Sequence, residues 1–180
     1  MVRCPLHPSI LVLALQFIPT WATCAADPAA PGIPNFHQVD ESIYRGGQPT
    51  AQGFISLDRL GVKTVIDLRP DGEHSVKAER QVMAAAGMHY VNVPMNSLAT
   101  PSDEKISTVL ALLKSPDAGP VFVHCRRGAD RTGTVIACYR IEHDRWRNQI
   151  ALKEAESYGM SWMEIGMKRY VLKFSASREH

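Results

Sequence analysis

The stretch that decides the fold reads Pro120-Val-Phe-Val-His-Cys-Arg-Arg-Gly-Ala-Asp-Arg-Thr-Gly133. It opens with a continuous apolar run of strand length, which is typical of a strand buried in a parallel sheet. From Thr132 to about His143 the chain is again largely apolar, and this predicts a buried helix. A short arginine-rich loop joins the two. A buried strand that leads through such a loop into a buried helix is the building unit of α/β folds.

The same alternation of strands and helices continues on both sides of this stretch. Thr64–Leu68 and Tyr90–Val93 are predicted to be strands. Two helices are predicted from apolar residues that share one face, namely Ala78, Val82, Ala85 and Ala86 in the first and Ile106, Val109, Leu110 and Leu113 in the second. The second would begin with Thr100 as its N-cap and Pro101 as its first residue. With further helices near 150–158 and 163–172, the predicted fold class is α/β, a mostly parallel sheet flanked by helices.

Composition places the chain among globular proteins of about one domain. The chain has 180 residues, of which 45% are hydrophobic and 21% are charged, and its formal net charge is +2. A charge so close to balance argues against a general polyanion binder, so we expect no nucleic acid partner. Four cysteines are too few for a disulfide scaffold.

The N-terminal segment shows the order of features found in a secretory signal peptide. Met1–Arg3 is a positive start, Ile10–Ile18 is an apolar run too short to span a bilayer as a helix, and Ala22–Ala26 consists of small residues. The sequence therefore predicts a signal peptide at 1–26, a Pro/Ala-rich linker at 27–34 and a domain at 35–180. We expect a secreted or periplasmic protein without stable membrane insertion after cleavage. The alternative is an anchor formed by the uncleaved segment.

The loop that follows the buried strand is predicted to bind an anion. Ligands bind at the carboxyl ends of parallel strands, and a loop that enters a helix there presents backbone N–H groups and the positive end of the helix. The same field stabilises a thiolate, which would make Cys125 a nucleophile. Arg131 can fold over the loop as a planar fork that binds two phosphate oxygens. Gly128 allows close backbone approach, and the Thr132 hydroxyl can help the thiolate leave in a second step.

This stretch resembles the signature of the cysteine-dependent protein tyrosine phosphatases, His-Cys-x5-Arg-Ser/Thr, in its dual-specificity form. The matching residues are His124, Cys125, Gly128, Arg131, Thr132 and Gly133. Ile43–Pro49 and Lys63–Arg69 look like the N-terminal strands of small bacterial and plant–fungal atypical members, so the resemblance covers about residues 35–172. It implies their three-layer fold and a two-step reaction, in which Cys125 attacks phosphorus and water then hydrolyses the cysteinyl-phosphate. It also implies that no metal or cofactor is needed.

The resemblance does not extend to the general acid. Family members usually take an Asp from a mobile loop before the cysteine, whereas Val93–Thr100 contains no acidic residue here. Asp130 is the favoured candidate, because myotubularin-type and some bacterial phosphatases have an Asp with the acid role in that place. Asp103 is a second candidate, although an acid near a helix start is also explained by the helix dipole. Departure of the leaving group with the help of water is the third alternative.

The predicted site therefore has a catalytic and a substrate-binding part. The catalytic residues are Cys125, Arg131 and Asp130, and the substrate-binding residues are Arg126, Arg127, Gly128, Ala129 and Thr132. Arg126 and Arg127 are either solvated loop charges or the binding site of a second phosphate.

Other residues near the site have plainer interpretations. His124 is expected to orient the loop. Cys138 is expected to pack in the following helix, with disulfide formation to Cys125 as the alternative. Arg69 is expected in a surface ion pair or in the same pocket. Packing is the expected role of Trp146 and Trp162.

The predicted function is a phosphatase that hydrolyses phosphate monoesters in phosphoproteins, inositol phosphates or phosphoinositides. One alternative is an inactive module that binds phosphorylated ligands. Another is a rhodanese-like sulfurtransferase, which also uses a loop cysteine between a strand and a helix. The pair Arg131-Thr132 argues against sulfur transfer.

Overall fold

The computed structural model describes residues 30–73 and 76–176. The strands are β1 (His37–Gln38), β2 (Ile43–Gly46), β3 (Thr64–Asp67), β4 (His89–Asn92) and β5 (Val121–His124). The helices are α1 (Ala51–Arg59), α2 (Val76–Ala85), α3 (Asp103–Lys114), α4 (Asp130–Glu142), α5 (Asn148–Ser157) and α6 (Ile165–Lys173). The predicted signal peptide lies outside the described residues. Among the described helices, none is both long and apolar enough to cross a membrane.

The sheet has the order β1-β2-β5-β3-β4, and only the short β1 runs antiparallel to its neighbour. His124 at the end of β5 is in register with Gly46 at the end of β2 and with Asp67 at the end of β3. The three strands therefore end at one edge of the sheet, and the loops that follow them meet there. This arrangement confirms the predicted mostly parallel α/β fold.

Helices cover both faces of the sheet, because successive strand residues point to opposite sides. Ile66 and Val123 pack in a core with α3 to α6, whereas Val65 and Phe122 pack in a second core with α1 and α2. The predicted apolar stripe of α3 is buried. The result is three layers, with the apolar α4 enclosed between the sheet and the outer helices.

Helix α3 begins later than the sequence predicts. Thr100 and Pro101 precede the helix, and Ser102 is the N-cap, whose hydroxyl accepts a hydrogen bond from the Lys105 backbone N–H at 3.4 Å. Serine is a strong N-cap residue, and here it prevails over the Thr-Pro signal that precedes it.

Helix α2 buries a different face from the one predicted. Ala78, Val82 and Ala85 are exposed, while Glu79 and Met83 are buried. The helix is rotated because the Glu79 carboxylate turns inward to form an ion pair with Arg69. A periodicity of apolar residues does not register such a buried charge.

Part of the predicted linker belongs to the packed domain. Ile33 is buried in the core beside α1. The carbonyl of Gly32 accepts a hydrogen bond from the Thr50 backbone N–H at 2.9 Å, and the carbonyl of Pro34 accepts one from Gly47 at 2.7 Å. Residues 32–34 are therefore packed against the domain that the sequence predicts to begin at 35.

Candidate active site

A cavity of about 260 Å³ opens above the end of β5, where the chain passes through Cys125–Ala129 into α4. Five predicted site residues line this cavity, namely Cys125, Arg126, Arg127, Asp130 and Arg131. Cys125 is only 1% exposed. Gly128, Ala129 and Thr132 complete the loop and the first turn of the helix. The structure thus brings together all the residues that the sequence assigns to the site.

The backbone of the loop is arranged to receive an anion. Within the described part of the chain, the N–H groups of Arg126 to Ala129 donate no hydrogen bond. Helix α4 follows directly, and its N-cap residue Ala129 provides no side-chain hydrogen bond to the first turn. Unpaired backbone donors at the positive end of a helix form a phosphate site.

Gly128 is required by the shape of the loop. Its φ of +72° is in the left-handed region. A Cβ atom there would lie 2.3 Å from the carbonyl carbon of Gly46, the last residue of β2, and 2.4 Å from the nitrogen of Gly47. The loop is therefore pressed against the end of the neighbouring strand, where no side chain fits.

Arg45 on β2 supports the loop from below, and sequence reasoning assigned it no role. Its Nη2 donates to the Gly128 carbonyl at 2.7 Å, and the Asn35 amide donates to the same oxygen at 3.1 Å. Burial lowers the pKa of Arg45 to about 10, against the opposing influence of Glu154, Tyr158 and Cys125. Arginine stays protonated at neutral pH even so, and Arg45 is therefore a buried cation in direct contact with the loop.

Arg131 is held over the cavity by a residue that the sequence did not single out. Its Nη1 and Nη2 donate to the two carboxylate oxygens of Glu73 at 2.9 and 3.0 Å. Burial opposes the charge of Arg131, but the hydrogen bonds with Glu73 and the charge of Cys125 outweigh it, so its pKa is raised. Glu73 lies in the loop after β3, at the same sheet edge as Cys125. It fixes the orientation of the guanidinium.

Of the two acid candidates from the sequence, only Asp130 lies in the cavity. Its carboxylate accepts from Arg127 at 2.5 Å and from the Ser161 backbone N–H at 2.8 Å. Asp103 does not line the cavity; it is the first residue of α3 and accepts from the Tyr170 hydroxyl at 2.7 Å.

A third carboxyl group in the cavity wall comes from Glu164, immediately before α6. The cavity therefore holds three guanidinium groups, from Arg126, Arg127 and Arg131, and three carboxyl groups, from Glu73, Asp130 and Glu164. The positive charge that the loop sequence predicts is largely balanced by Asp130 beside it and by Glu73 and Glu164 from distant parts of the chain.

Thr132 lies in the first turn of α4 and is completely buried. Its hydroxyl oxygen has no hydrogen-bond partner among the described residues. A buried hydroxyl without a partner requires an explanation, and a role in the reaction is one. The hydroxyl forms no hydrogen bond with the Cys125 sulfur in this structure, so its predicted role in the second step stays a prediction.

A buried network of charged groups lies behind the loop. Arg69 pairs with Asp67 through two hydrogen bonds, at 2.9 and 2.7 Å, and with Glu79. Arg69 therefore lies neither on the surface nor in the cavity, the two places expected from the sequence. Its pKa is raised, because the two carboxylates outweigh the effect of burial.

His124 adjoins this network and is completely buried. Its Nε2 is 3.8 Å from Glu79 and 4.0 Å from Asp67, and its ring stacks on Phe122. Burial lowers the pKa of His124. Ligand atoms of these three groups lie within 4.8 Å of one another, a spacing that suits a metal ion. Arg69 already forms ion pairs with both carboxylates, so the cluster is better explained as an ion-pair network that supports the loop from behind.

The remaining residues singled out from the sequence lie outside the cavity. Cys138 is buried in α4, and burial raises its pKa. At 1.5 Å per residue it lies about 12 Å along the helix from Asp130, and both described cysteines are free, so the alternative disulfide is not formed in this structure. Trp146 packs under Arg140 at 4.7 Å, as predicted. Trp162 is 79% exposed, so the packing role predicted for it is wrong.

The strand–loop–helix unit, its buried cysteine and the arginine over the loop define a site of the protein tyrosine phosphatase class. Comparison with known proteins gives the family. Residues 17–171 match the sequence model of PTP-NADK, described as "DSP-PTPase phosphatase fused to NAD+ Kinase". The chain belongs to this family of dual-specificity phosphatases.

Individual relatives and a solved structure agree. The dual specificity protein phosphatase TpbA of Pseudomonas aeruginosa (strain UCBPP-PA14) is 33% identical over 141 residues, which are 78% of this chain but only 60% of that protein. The inositol diphosphatase DSP4 of Arabidopsis thaliana is 28% identical over 147 residues, 79% of this chain and 73% of that protein. The crystal structure of P. aeruginosa TpbA aligns with a TM-score of 0.70 at 29% identity, over 86% of this chain and 92% of the other. These matches confirm the resemblance stated from the sequence.

Proposed function

We propose that this protein hydrolyses phosphate monoesters through a covalent intermediate on Cys125. The observation that supports this most is the position of Cys125 at the base of a loop whose backbone N–H groups have no other partner within the described residues. Such donors bind three phosphate oxygens and leave the phosphorus facing the sulfur.

The reaction has two steps. The Cys125 thiolate attacks phosphorus, the bond from phosphorus to the ester oxygen breaks, and the departing oxygen takes up a proton. Water then attacks the cysteinyl-phosphate, the phosphorus–sulfur bond breaks, and orthophosphate and the thiolate are released. Arg131 binds two of the phosphate oxygens in both steps, and the Thr132 hydroxyl donates to the sulfur as it leaves.

We further propose that the preferred substrates have more than one phosphate. Arg126 is exposed, and its side chain has no hydrogen bond or ion pair with any described residue. Arg127 also faces the cavity mouth with 62% of its side chain exposed, although it pairs with Asp130. A guanidinium without a partner beside a phosphate site is suited to a second phosphate. That a relative is named an inositol diphosphatase agrees with this proposal.

A substrate panel tests the proposed function. We expect the protein to release phosphate from p-nitrophenyl phosphate and, with a higher kcat/KM, from inositol polyphosphates or diphosphates. Arg126→Ala should lower kcat/KM for the polyphosphates by about tenfold, because a charge-assisted hydrogen bond contributes about 1.5–3 kcal/mol, and should change hydrolysis of p-nitrophenyl phosphate little. Thiocyanate formation from thiosulfate and cyanide without phosphate release would instead establish sulfur transfer. Tight phosphate binding without turnover would establish a binding module.

We also propose that residues 1–26 direct export. Their order of charged, apolar and small residues supports this. N-terminal sequencing of the exported protein is expected to begin at Asp27. A chain that still begins at Met1 in the membrane fraction would show that the segment is an anchor.

A further inference from the structure

The proposed reaction needs a proton donor for the departing oxygen. In the first step, that oxygen leaves as an alkoxide unless it is protonated, which is costly for esters of weakly acidic alcohols. The loop at 93–100, where the family resemblance places the donor, contains no acidic residue. Of the described residues, three carboxyl groups line the cavity that contains Cys125, those of Glu73, Asp130 and Glu164.

Two of these three groups have both carboxyl oxygens occupied by hydrogen-bond donors. Glu73 accepts through both oxygens from Arg131. Asp130 accepts from Arg127 on one oxygen and from the Ser161 backbone N–H on the other. Neither group could carry a proton without giving up one of these contacts.

Glu164 is in a different environment. It is only 4% exposed, and its Oε2 accepts from the Leu98 backbone N–H at 3.0 Å. Among the described residues, no lysine or arginine forms an ion pair with it, and its Oε1 accepts no hydrogen bond. Within the described residues, Glu164 therefore has one carboxyl oxygen without a hydrogen-bond donor, in the wall of the cavity that contains Cys125. Oε1 can carry the proton while Oε2 keeps the bond to Leu98.

The bond to Leu98 places Glu164 against the loop that lacks an acid. Leu98 has a φ of 58°, in the left-handed region. In this conformation its own backbone N–H donates to Glu164. The loop also touches the start of α6, since a Cβ on Gly166 would lie 3.0 Å from the backbone nitrogen of Thr100. The start of α6 is therefore packed against this loop. Glu164, immediately before α6, places a carboxyl group in the cavity wall, whereas the loop at 93–100 contributes no carboxyl group.

We propose that Glu164 is the general acid of the reaction. As the phosphorus–oxygen bond breaks, the carboxyl proton on Oε1 passes to the departing oxygen. The resulting carboxylate takes a proton from the water that attacks the cysteinyl-phosphate, which restores the acid for the next cycle. This inference rests on the proposed phosphatase function.

Glu164→Gln tests the proposal, because glutamine keeps an oxygen for the Leu98 N–H but has no acidic proton. The measurement is kcat/KM with two esters, p-nitrophenyl phosphate and phenyl phosphate. The leaving group of p-nitrophenyl phosphate is acidic enough to depart without a proton. The leaving group of phenyl phosphate is less acidic, and its departure depends more on a proton donor. We expect a loss of about 10²-fold or more with phenyl phosphate, typical of a removed general acid, and a much smaller loss with p-nitrophenyl phosphate. The alkaline fall of the pH–rate profile for phenyl phosphate should disappear.

Glu73→Gln and Asp130→Asn are the matched controls, and both should lower the rates with the two esters by similar factors because they position the arginines. An equal loss with both esters in Glu164→Gln would overturn the proposal, as would a loss specific to phenyl phosphate in Asp130→Asn.

If Glu164→Gln does not fold, as judged by urea unfolding, Glu164→Asp is used instead. The proposal then requires that Glu164→Asp retain more activity on phenyl phosphate than Glu164→Ala. Failure of the phosphatase function itself has a separate sign, namely no Cys125-dependent turnover of either ester by the wild-type protein.

Discussion

Replacing Cys125 with serine is expected to abolish phosphate-ester hydrolysis, with a fall in kcat on the order of 10⁴-fold or more, as for removal of other catalytic nucleophiles. A serine hydroxyl fits the same space but is not ionised by the field of the loop and of the buried Arg45. The backbone donors and Arg131 are unchanged, so binding of orthophosphate or vanadate should persist. Initial rates with p-nitrophenyl phosphate, together with calorimetric titration of orthophosphate, measure the two quantities separately.

Cys138→Ala is the matched control for this experiment. Cys138 is the other described cysteine, is buried in α4 and does not line the cavity. We expect this variant to keep the wild-type rate at temperatures well below its unfolding transition, with only the stability cost of a smaller core side chain. Turnover that survives Cys125→Ser, or that disappears in Cys138→Ala while the protein remains folded, contradicts the proposed mechanism.

Replacing Gly128 with alanine is expected to lower kcat/KM by about 10²-fold or more, since displacement of a catalytic group by about 1 Å has effects of that size. The added Cβ would lie 2.3 Å from the carbonyl carbon of Gly46, which is closer than atoms can approach. Both contacting groups are backbone, so the loop itself has to move away from β2. That movement also breaks the hydrogen bond from Arg45 to the Gly128 carbonyl. The rates and the affinity for vanadate should fall together.

Gly87→Ala separates this steric effect from the strain of the backbone. Gly87 has a φ of +70°, almost that of Gly128, and a Cβ there would have no neighbour within 4 Å. The Gly87→Ala variant is therefore destabilised only by the left-handed conformation of an alanine, which lowers the free energy of unfolding by about 1–2 kcal/mol. It should retain full activity. Equal activity in the two alanine variants would show that the packing of the loop against β2 does not matter for function.

The parts of the site that sequence reasoning found lie within one continuous stretch. Cys125, Gly128 and Arg131 belong to a single strand–loop–helix unit, whose geometry follows from local patterning and helix-terminus electrostatics. The class of fold follows from the same patterning, because apolar runs of strand and helix length alternate along the chain. Local information is sufficient for both.

The residues that sequence reasoning missed reach the site through the sheet register and helix packing. Glu73 and Arg45 lie beside the loop because β2 and β3 end level with β5, and Glu164 arrives from the start of α6. None of them is near Cys125 in sequence. The sequence carries one signal for these residues, their acidic or basic chemical type, and that type alone does not indicate which of them reach the site.

The error in the face predicted for helix α2 has a related cause. The apolar pattern predicts that the alanines and Val82 of helix α2 face the interior. In the structure, the buried ion pair of Glu79 with Arg69 determines which face of the helix is buried. The packing predicted for Trp162 is wrong for a different reason, since an aromatic side chain in a loop between helices has no periodic pattern that fixes its burial.

The most direct test of the central claim is to trap the covalent intermediate. The wild-type protein is mixed with a ³²P-labelled ester, quenched in denaturant within the first turnover and digested, and the label is located by mass spectrometry. We predict a transient phosphoryl group on Cys125 that approaches one per chain and decays as orthophosphate appears. Active turnover without any label on Cys125, or with the label on a different residue, would contradict the account.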